Sequence, residues 1–275
     1  TSPQNRNQQT RNKRRHHNIV NLYFGGLNVL PPSQNLPMIP RRHLDPIELN
    51  NSAVQNLEYN DTKSACELLT TAVKLILNTP NAFKRGTAPQ QQISSQYTHF
   101  QWSDVSNRIL KSSPQNNIPV GTFLFSRAML VNDVRPAKRH YNPHQLSADA
   151  KAAIVYNAGL AFHLLAIEQH DSRLLTKAKS MYHLAQTILR KANEKGCNPK
   201  LCYTHFFHIV LLNNLGQMSY MLIDYDASEH YFDQLELNLR FITSRPKFEK
   251  IFDSNDLVGM MSNTIVKVPD TAPCA

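Results

Sequence analysis

The residues whose types and spacing come closest to chemistry are Cys197, Cys202, His205 and His208, where thiols and imidazoles gather. Thiolate and neutral imidazole are the usual ligands of structural zinc, normally with two to four residues between the cysteines and with the histidines on a helix. Here four residues separate the cysteines and two separate the histidines, so one short loop and one helical turn would have to bring all four ligands together. Cys202 and His205 lie three apart and can share a helix face, as can His205 and His208. The competing reading is a helix start with partly buried thiols and surface imidazoles. The spacing favours it, and no metal or cofactor is expected.

A nucleophilic enzyme needs an activated Ser or Cys beside a base and an oxyanion site. The chain contains no G-x-S-x-G, no phosphate-binding P-loop and no G-x-G-x-x-G; Gly25-Gly26 stands alone in polar surroundings. His163, His183 and His230 fall within helical stripes, where packing or surface roles are the rule. The acids Asp224 and Asp226 are accounted for by helix capping. The expectation is a chain that is not an enzyme.

The densest charge is Arg11, Lys13, Arg14 and Arg15, followed by His16 and His17. Such a run fits nuclear import or phosphate contact, and also plain solvation. Aromatic residues that would stack on bases are missing from residues 1–18. Of the formal net charge of +10, residues 1–18 carry +5 and residues 82–147 carry +6, while residues 148–275 are neutral. The positive charge therefore lies outside the helical parts, in a tail and an insertion. Nucleic-acid association through the tail is the alternative function.

Four cysteines in 275 residues are too few for a secreted disulfide scaffold, so a reducing, intracellular setting, cytoplasmic or nuclear, is expected. No apolar run approaches the length that spans a bilayer, and Ile19 to Phe24 is too short and polar for a signal sequence. Thr1 is not a Met, which leaves an N-terminal targeting peptide open.

The elements that must position any site are helices. Residues 1–44, rich in Asn, Gln, Arg and Pro, hold too little apolar surface to offset ordering and read as a basic disordered tail. Residues 45–275 read as a helical domain. Asp45-Pro46 opens a helix to about Glu58, and Asp61 caps a second to about Asn78, with apolar residues at three- and four-residue intervals from Ala65 to Ile76. Residues 81–146 form an insertion in which Thr98 to Val105 and Val120 to Val131 are candidate strands, though short apolar runs fit a helix as well. Helices return over Ser147 to Gln169, from Asp171 or Ser172 to Lys195, over Cys202 to Leu222, from an Asp226/Glu229 capping box to Thr243, and over Asp256 to Val268.

Three helix pairs can be laid over one another. The first helices align as Leu49-x-x-Ser52-Ala53-x-x-Asn56, Val155-x-x-Ala158-Gly159-x-x-Phe162 and Leu212-x-x-Leu215-Gly216-x-x-Ser219. The second helices align as Ala65-x-x-x-Leu69-x-x-Ala72, Ala178-x-x-x-Tyr182-x-x-Ala185 and Ser228-x-x-x-Phe232-x-x-Leu235. Small residues at Ala53, Gly159 and Gly216 let the helices of a pair approach. From the small residue to the start of the second motif, the first and third pairs span twelve residues and the middle pair nineteen, which predicts a turn about seven residues longer in the middle pair.

This pattern resembles the tetratricopeptide repeat family, and it is also similar to an expanded group of tetratricopeptide-like proteins in diatoms that brings no activity with it. The resemblance covers residues 46–80, 150–195 and 208–244. It implies a mainly α fold, an α-α superhelix of three irregular hairpins with an inserted, candidate β segment, that binds a protein or peptide on its concave side. On that geometry Asn50, Val54, Tyr156, Leu160, His163, Asn213 and Gln217 would face the groove, a neutral and mixed surface. Asn51, Asn157 and Asn214 match an asparagine of family members that clamp a carboxylate, but no lysine precedes them, which argues against such a clamp. The competing arrangement has the long turn and the insertion folding back over the same face. Partner identity and oligomeric state are not legible.

Overall fold

The computed structural model describes residues 45–78, 98–105, 123–133, 146–194, 201–244 and 252–265. Their elements, in chain order, are α1 (Pro46–Glu58), α2 (Thr62–Leu77), β1 (Thr98–Asp104), β2 (Arg127–Asp133), α3 (Ala148–Gln169), α4 (Ser172–Glu194), α5 (Leu201–Met221), α6 (Tyr225–Thr243) and α7 (Ser254–Asn263). The described chain is mainly helical, with packed helix pairs and one two-stranded sheet. The tail residues Arg11, Lys13, Arg14 and Arg15 and Cys197 lie outside the described residues, as does the proposed continuation of the last helix to Val268.

The helices start where short polar side chains can satisfy unpaired backbone N–H groups. Asp45 accepts from Ile47 N at 2.8 Å with Pro46 in the first turn, Asp61 accepts from Ser64 N, and Ser147 accepts from Ala150 N. In α6 the cap is Asp224, not the Asp226 of the sequence reading: its carboxylate accepts from Ala227 N and the helix begins two residues earlier than expected. Asp253 caps α7, which starts before the expected Asp256.

Each pair is closed by the same turn. Asn60, His170 and Ile223 adopt left-handed backbone at φ 66°, 55° and 61°, and each is followed by an aspartate. The N–H of Asp61, Asp171 and Asp224 returns to the carbonyl five residues back, on Asn56, Ala166 and Ser219. The aspartate side chain then accepts from a backbone N–H at the start of the next helix, Ser64, Arg173 or Ala227. One short device thus ends a helix and caps the next.

The middle turn is therefore not long. The additional residues extend the helices themselves, to 22 residues in α3 and 23 in α4 against 13 in α1 and 16 in α2.

Packing runs along the chain: α1 on α2, α2 on α3, α3 on α4, α4 on α5, α5 on α6 and α6 on α7, with α1, α3, α5 and α7 also meeting in sequence. Within pairs the small residues receive aromatic rings. A Cβ at Gly159 would lie 2.7 Å from Tyr182 Cδ1, and one at Gly216 would run into Phe232. Tyr182 and Phe232 occupy the same place in the two aligned motifs. α3 is buried almost all round, from Ala150 to Ile167. By length and composition it is apolar enough to cross a membrane, contrary to the sequence expectation, but that stretch is covered by neighbouring elements.

β1 and β2 pair antiparallel, Phe100 opposite Val131 and Trp102 opposite Met129. β2 starts later than the expected Val120, while residues 123–126 precede it without being assigned to the sheet. The strand packs against α1 and α3.

Candidate site: an asparagine-lined face

In an extended chain the N–H and C=O of one residue point to the same edge and those of the next residue to the opposite edge. β1 pairs along one edge of residues 127–133. Asparagines from four helices take the other.

On α1, Asn51 accepts from Val131 N at 3.0 Å and donates to Val131 O at 2.9 Å. On α3, Asn157 accepts from Met129 N at 2.9 Å and donates to Met129 O at 2.7 Å. On α5, Asn214 accepts from Phe125 N at 3.2 Å and donates to Phe125 O at 3.1 Å. On α7, Asn263 accepts from Phe123 N at 2.6 Å and donates to Phe123 O at 2.7 Å. A primary amide presents a carbonyl acceptor beside an NH2 donor, matching the N–H and C=O of one residue, so each side chain completes a two-bond clasp and keeps a second donor hydrogen. The intervening residue, Arg127, is met by the Tyr156 hydroxyl, which donates to its carbonyl at 3.0 Å. The strand runs from α7 towards α1, opposite to the order of the helices.

A second row braces the clasps. Asn50 donates to Met129 O at 3.0 Å and accepts from Asn157 at 2.8 Å, while Asn213 donates to Phe123 O at 3.1 Å and accepts from Asn263 at 2.7 Å. Asn214 also donates to the Tyr182 hydroxyl at 3.3 Å, and His163 Nδ1 lies 3.5 Å from that hydroxyl. Asn50, Asn157, Asn213, Asn214 and Asn263 have no solvent exposure. The site is neutral, which suits a peptide backbone: a charge buried there would lack a counter-ion.

The seven residues expected to line the groove are all fully buried. Asn50, Tyr156 and Asn213 contact the strand through the bonds above, so the face they line is filled by the chain's own insertion. His163 packs edge-on to Tyr182, and burial lowers its imidazole to about 3. Among the described residues its Nε2 has no hydrogen-bond partner, and neither does the Gln217 amide at its nitrogen or its oxygen. Val54 and Leu160 are core residues.

Sequence reasoning left Asn51, Asn157, Asn214 and Asn263 off the list of site residues. The signal was present, since the first three share one aligned position, but it was read against a carboxylate ligand rather than a peptide bond. Asn263 sits on the unpaired last helix, where no alignment reached it.

Side chains of the segment complete the seal. Leu124, Phe125, Ala128, Met129 and Val131 are buried, and Phe125 meets Trp102 edge-on at 5.4 Å between ring centroids. Arg127 pairs with Asp256 at 2.9 Å and with Asp253 at 3.2 Å, tying the start of β2 to α7. Burial nevertheless holds the Asp256 carboxyl above the usual carboxylate range.

Cys197 and the Cys202 side chain lie outside what is described, so the thiol and imidazole cluster is not placed; among the described residues no group of three or more His, Cys, Asp or Glu could hold a metal. His205 packs on Phe241, and burial together with neighbouring His205 lowers the His208 imidazole. No family model, no curated protein and no solved structure matches this chain.

Proposed function

We propose that this chain is a non-enzymatic scaffold of tetratricopeptide-like helix pairs that holds an extended protein segment by its main chain. The observation that carries the reading is the set of four two-bond asparagine clasps on residues 123, 125, 129 and 131. Protein interiors satisfy most buried backbone groups within regular structure. A row of amides from four separate helices, Asn157, Asn214 and Asn263 buried and Asn51 half-buried, aimed at one strand edge, has the chemistry to hold a peptide main chain. The repeated turns at Asn60, His170 and Ile223 and the Gly159–Tyr182 and Gly216–Phe232 contacts support the repeat architecture.

The test uses the full chain carrying Met129→Pro. Proline at 129 removes the N–H that Asn157 accepts and leaves the edge towards β1 untouched. A labelled peptide of residues 121–133 should bind this variant. The same peptide N-methylated at Phe125 and Met129 keeps every side chain but loses two donors, and should bind at least tenfold more weakly. Equal binding of the two peptides would refute main-chain recognition.

A further inference from the structure

The described bonds of the asparagine side chains to the segment go to its backbone, and none goes to a side chain of residues 123–131. The clasp is thus indifferent to the identity of the occupant, provided that it is extended. Selection falls to the buried side chains, which are the apolar Leu124, Phe125, Ala128, Met129 and Val131 together with Ser126. Exchanging one such strand for another conserves the hydrogen bonds, so they do not discriminate between occupants. Resting on the scaffold reading above, we propose that the segment Phe123–Val131 is an internal competitor for this face. The partner is an extended segment of another protein with apolar residues at the places of Leu124, Phe125, Ala128, Met129 and Val131, bound in the same direction once the internal strand opens.

Gln217 supports an occupant other than the internal one. It stands one turn beyond Asn213 on α5, a spacing that places the two on one helix face. Its amide is fully buried, yet among the described residues neither its donor nor its acceptor is used. Leaving such a buried group unmet is unfavourable. The internal strand therefore bonds Asn213, while no described residue bonds the next amide. A segment that offers a peptide unit or an amide side chain there gains a contact that the internal strand lacks.

The incoming strand would use both edges of the site, asparagines on one side and β1 on the other. Arg127 is the side-chain anchor that the internal segment alone holds, through Asp253 and Asp256. Its loss should favour the open form without removing any clasp.

The experiment is amide hydrogen exchange on the intact wild-type chain, together with binding of the labelled 121–133 peptide to wild type, Met129→Pro and Arg127→Gln. The amides of Phe125, Met129 and Val131 should exchange at least a hundredfold faster than the central amides of α3 and α5, through an opening that leaves those helices closed. The peptide should bind wild type at least tenfold more weakly than Met129→Pro, with Arg127→Gln between them. Strand amides that exchange only with the helices would overturn the proposal, because the strand would then be permanent core. So would equal peptide affinity for wild type and Met129→Pro. If Met129→Pro does not fold, the exchange rates and the Arg127→Gln comparison decide. A folded Met129→Pro that binds no peptide defeats the scaffold reading itself, whereas binding to it without opening in wild type defeats only the competition.

Discussion

Asn157 on α3 and Met129 on β2 form a closed two-bond ring, N–H to Oδ1 at 2.9 Å and Nδ2 to carbonyl at 2.7 Å, in a place without solvent. The ring sits at the centre of the strand, with Asn50 bracing it from the neighbouring helix. It joins sequence positions 28 residues apart and decides which edge of β2 faces the helices.

Replacing Asn157 by Leu keeps a similar volume but leaves the Met129 N–H and the Asn50 oxygen buried without partners. Orphaned buried groups cost about 1–3 kcal/mol each, so Asn157→Leu should lose about 3 kcal/mol in urea unfolding. The Met129 amide should lose exchange protection before the helices do. A loss below about 0.5 kcal/mol would mean that the clasp contributes little.

Gly216→Ala adds a methyl where the Phe232 ring already lies. Alanine favours a helix by about 1 kcal/mol over glycine, yet overpacking a closed contact costs about 1–3 kcal/mol. The single variant should be less stable by about 1 kcal/mol, and Gly216→Ala combined with Phe232→Leu should be less damaging than the two separate effects added together. Strict additivity in thermal unfolding would show that the two residues do not meet.

Ile223 holds left-handed backbone that β-branched residues avoid, and its side chain is 73% exposed, so little packing rewards the strain. Asparagine already occupies the equivalent turn at position 60 and tolerates this conformation. Ile223→Asn should raise stability by about 1 kcal/mol. No gain in the denaturation midpoint would argue against strain at this turn.

Burial lowers the His163 imidazole from 6.5 to about 3. Between those values the unfolded chain takes up a proton that the folded chain refuses, so stability falls as pH drops through the window and is fully present above it. The loss at pH 5 should be about 2 kcal/mol relative to pH 7 from this residue. His163→Leu should remove that part of the slope, and an unchanged slope between pH 7 and pH 5 would contradict the assignment.

How far the sequence reached depends on the range of the interactions. Asp45, Asp61 and Ser147 marked helix starts because capping involves residues two or three apart, and the small residues at 53, 159 and 216 marked close helix contacts because a repeat shows the same local need three times. The Asp224 cap was displaced to Asp226, since two aspartates and a glutamate compete within one turn and only the backbone direction after Ile223 chooses between them. The seven extra residues of the middle pair were assigned to a turn, although helix ends are set by where packing stops.

The sequence by itself determined the paired helices, the caps at Asp45 and Asp61 and the neutral character of the face they share, all of which follow from neighbouring side chains and helical periodicity. Only the tertiary structure decided that the insertion fills that face, that Asn51, Asn157, Asn214 and Asn263 read its backbone, and that Gln217 is left without a partner among the described residues. An asparagine amide bonds water and a peptide unit equally well, so its type does not name its partner. That is settled when four helices bring their amides to the edge of one strand.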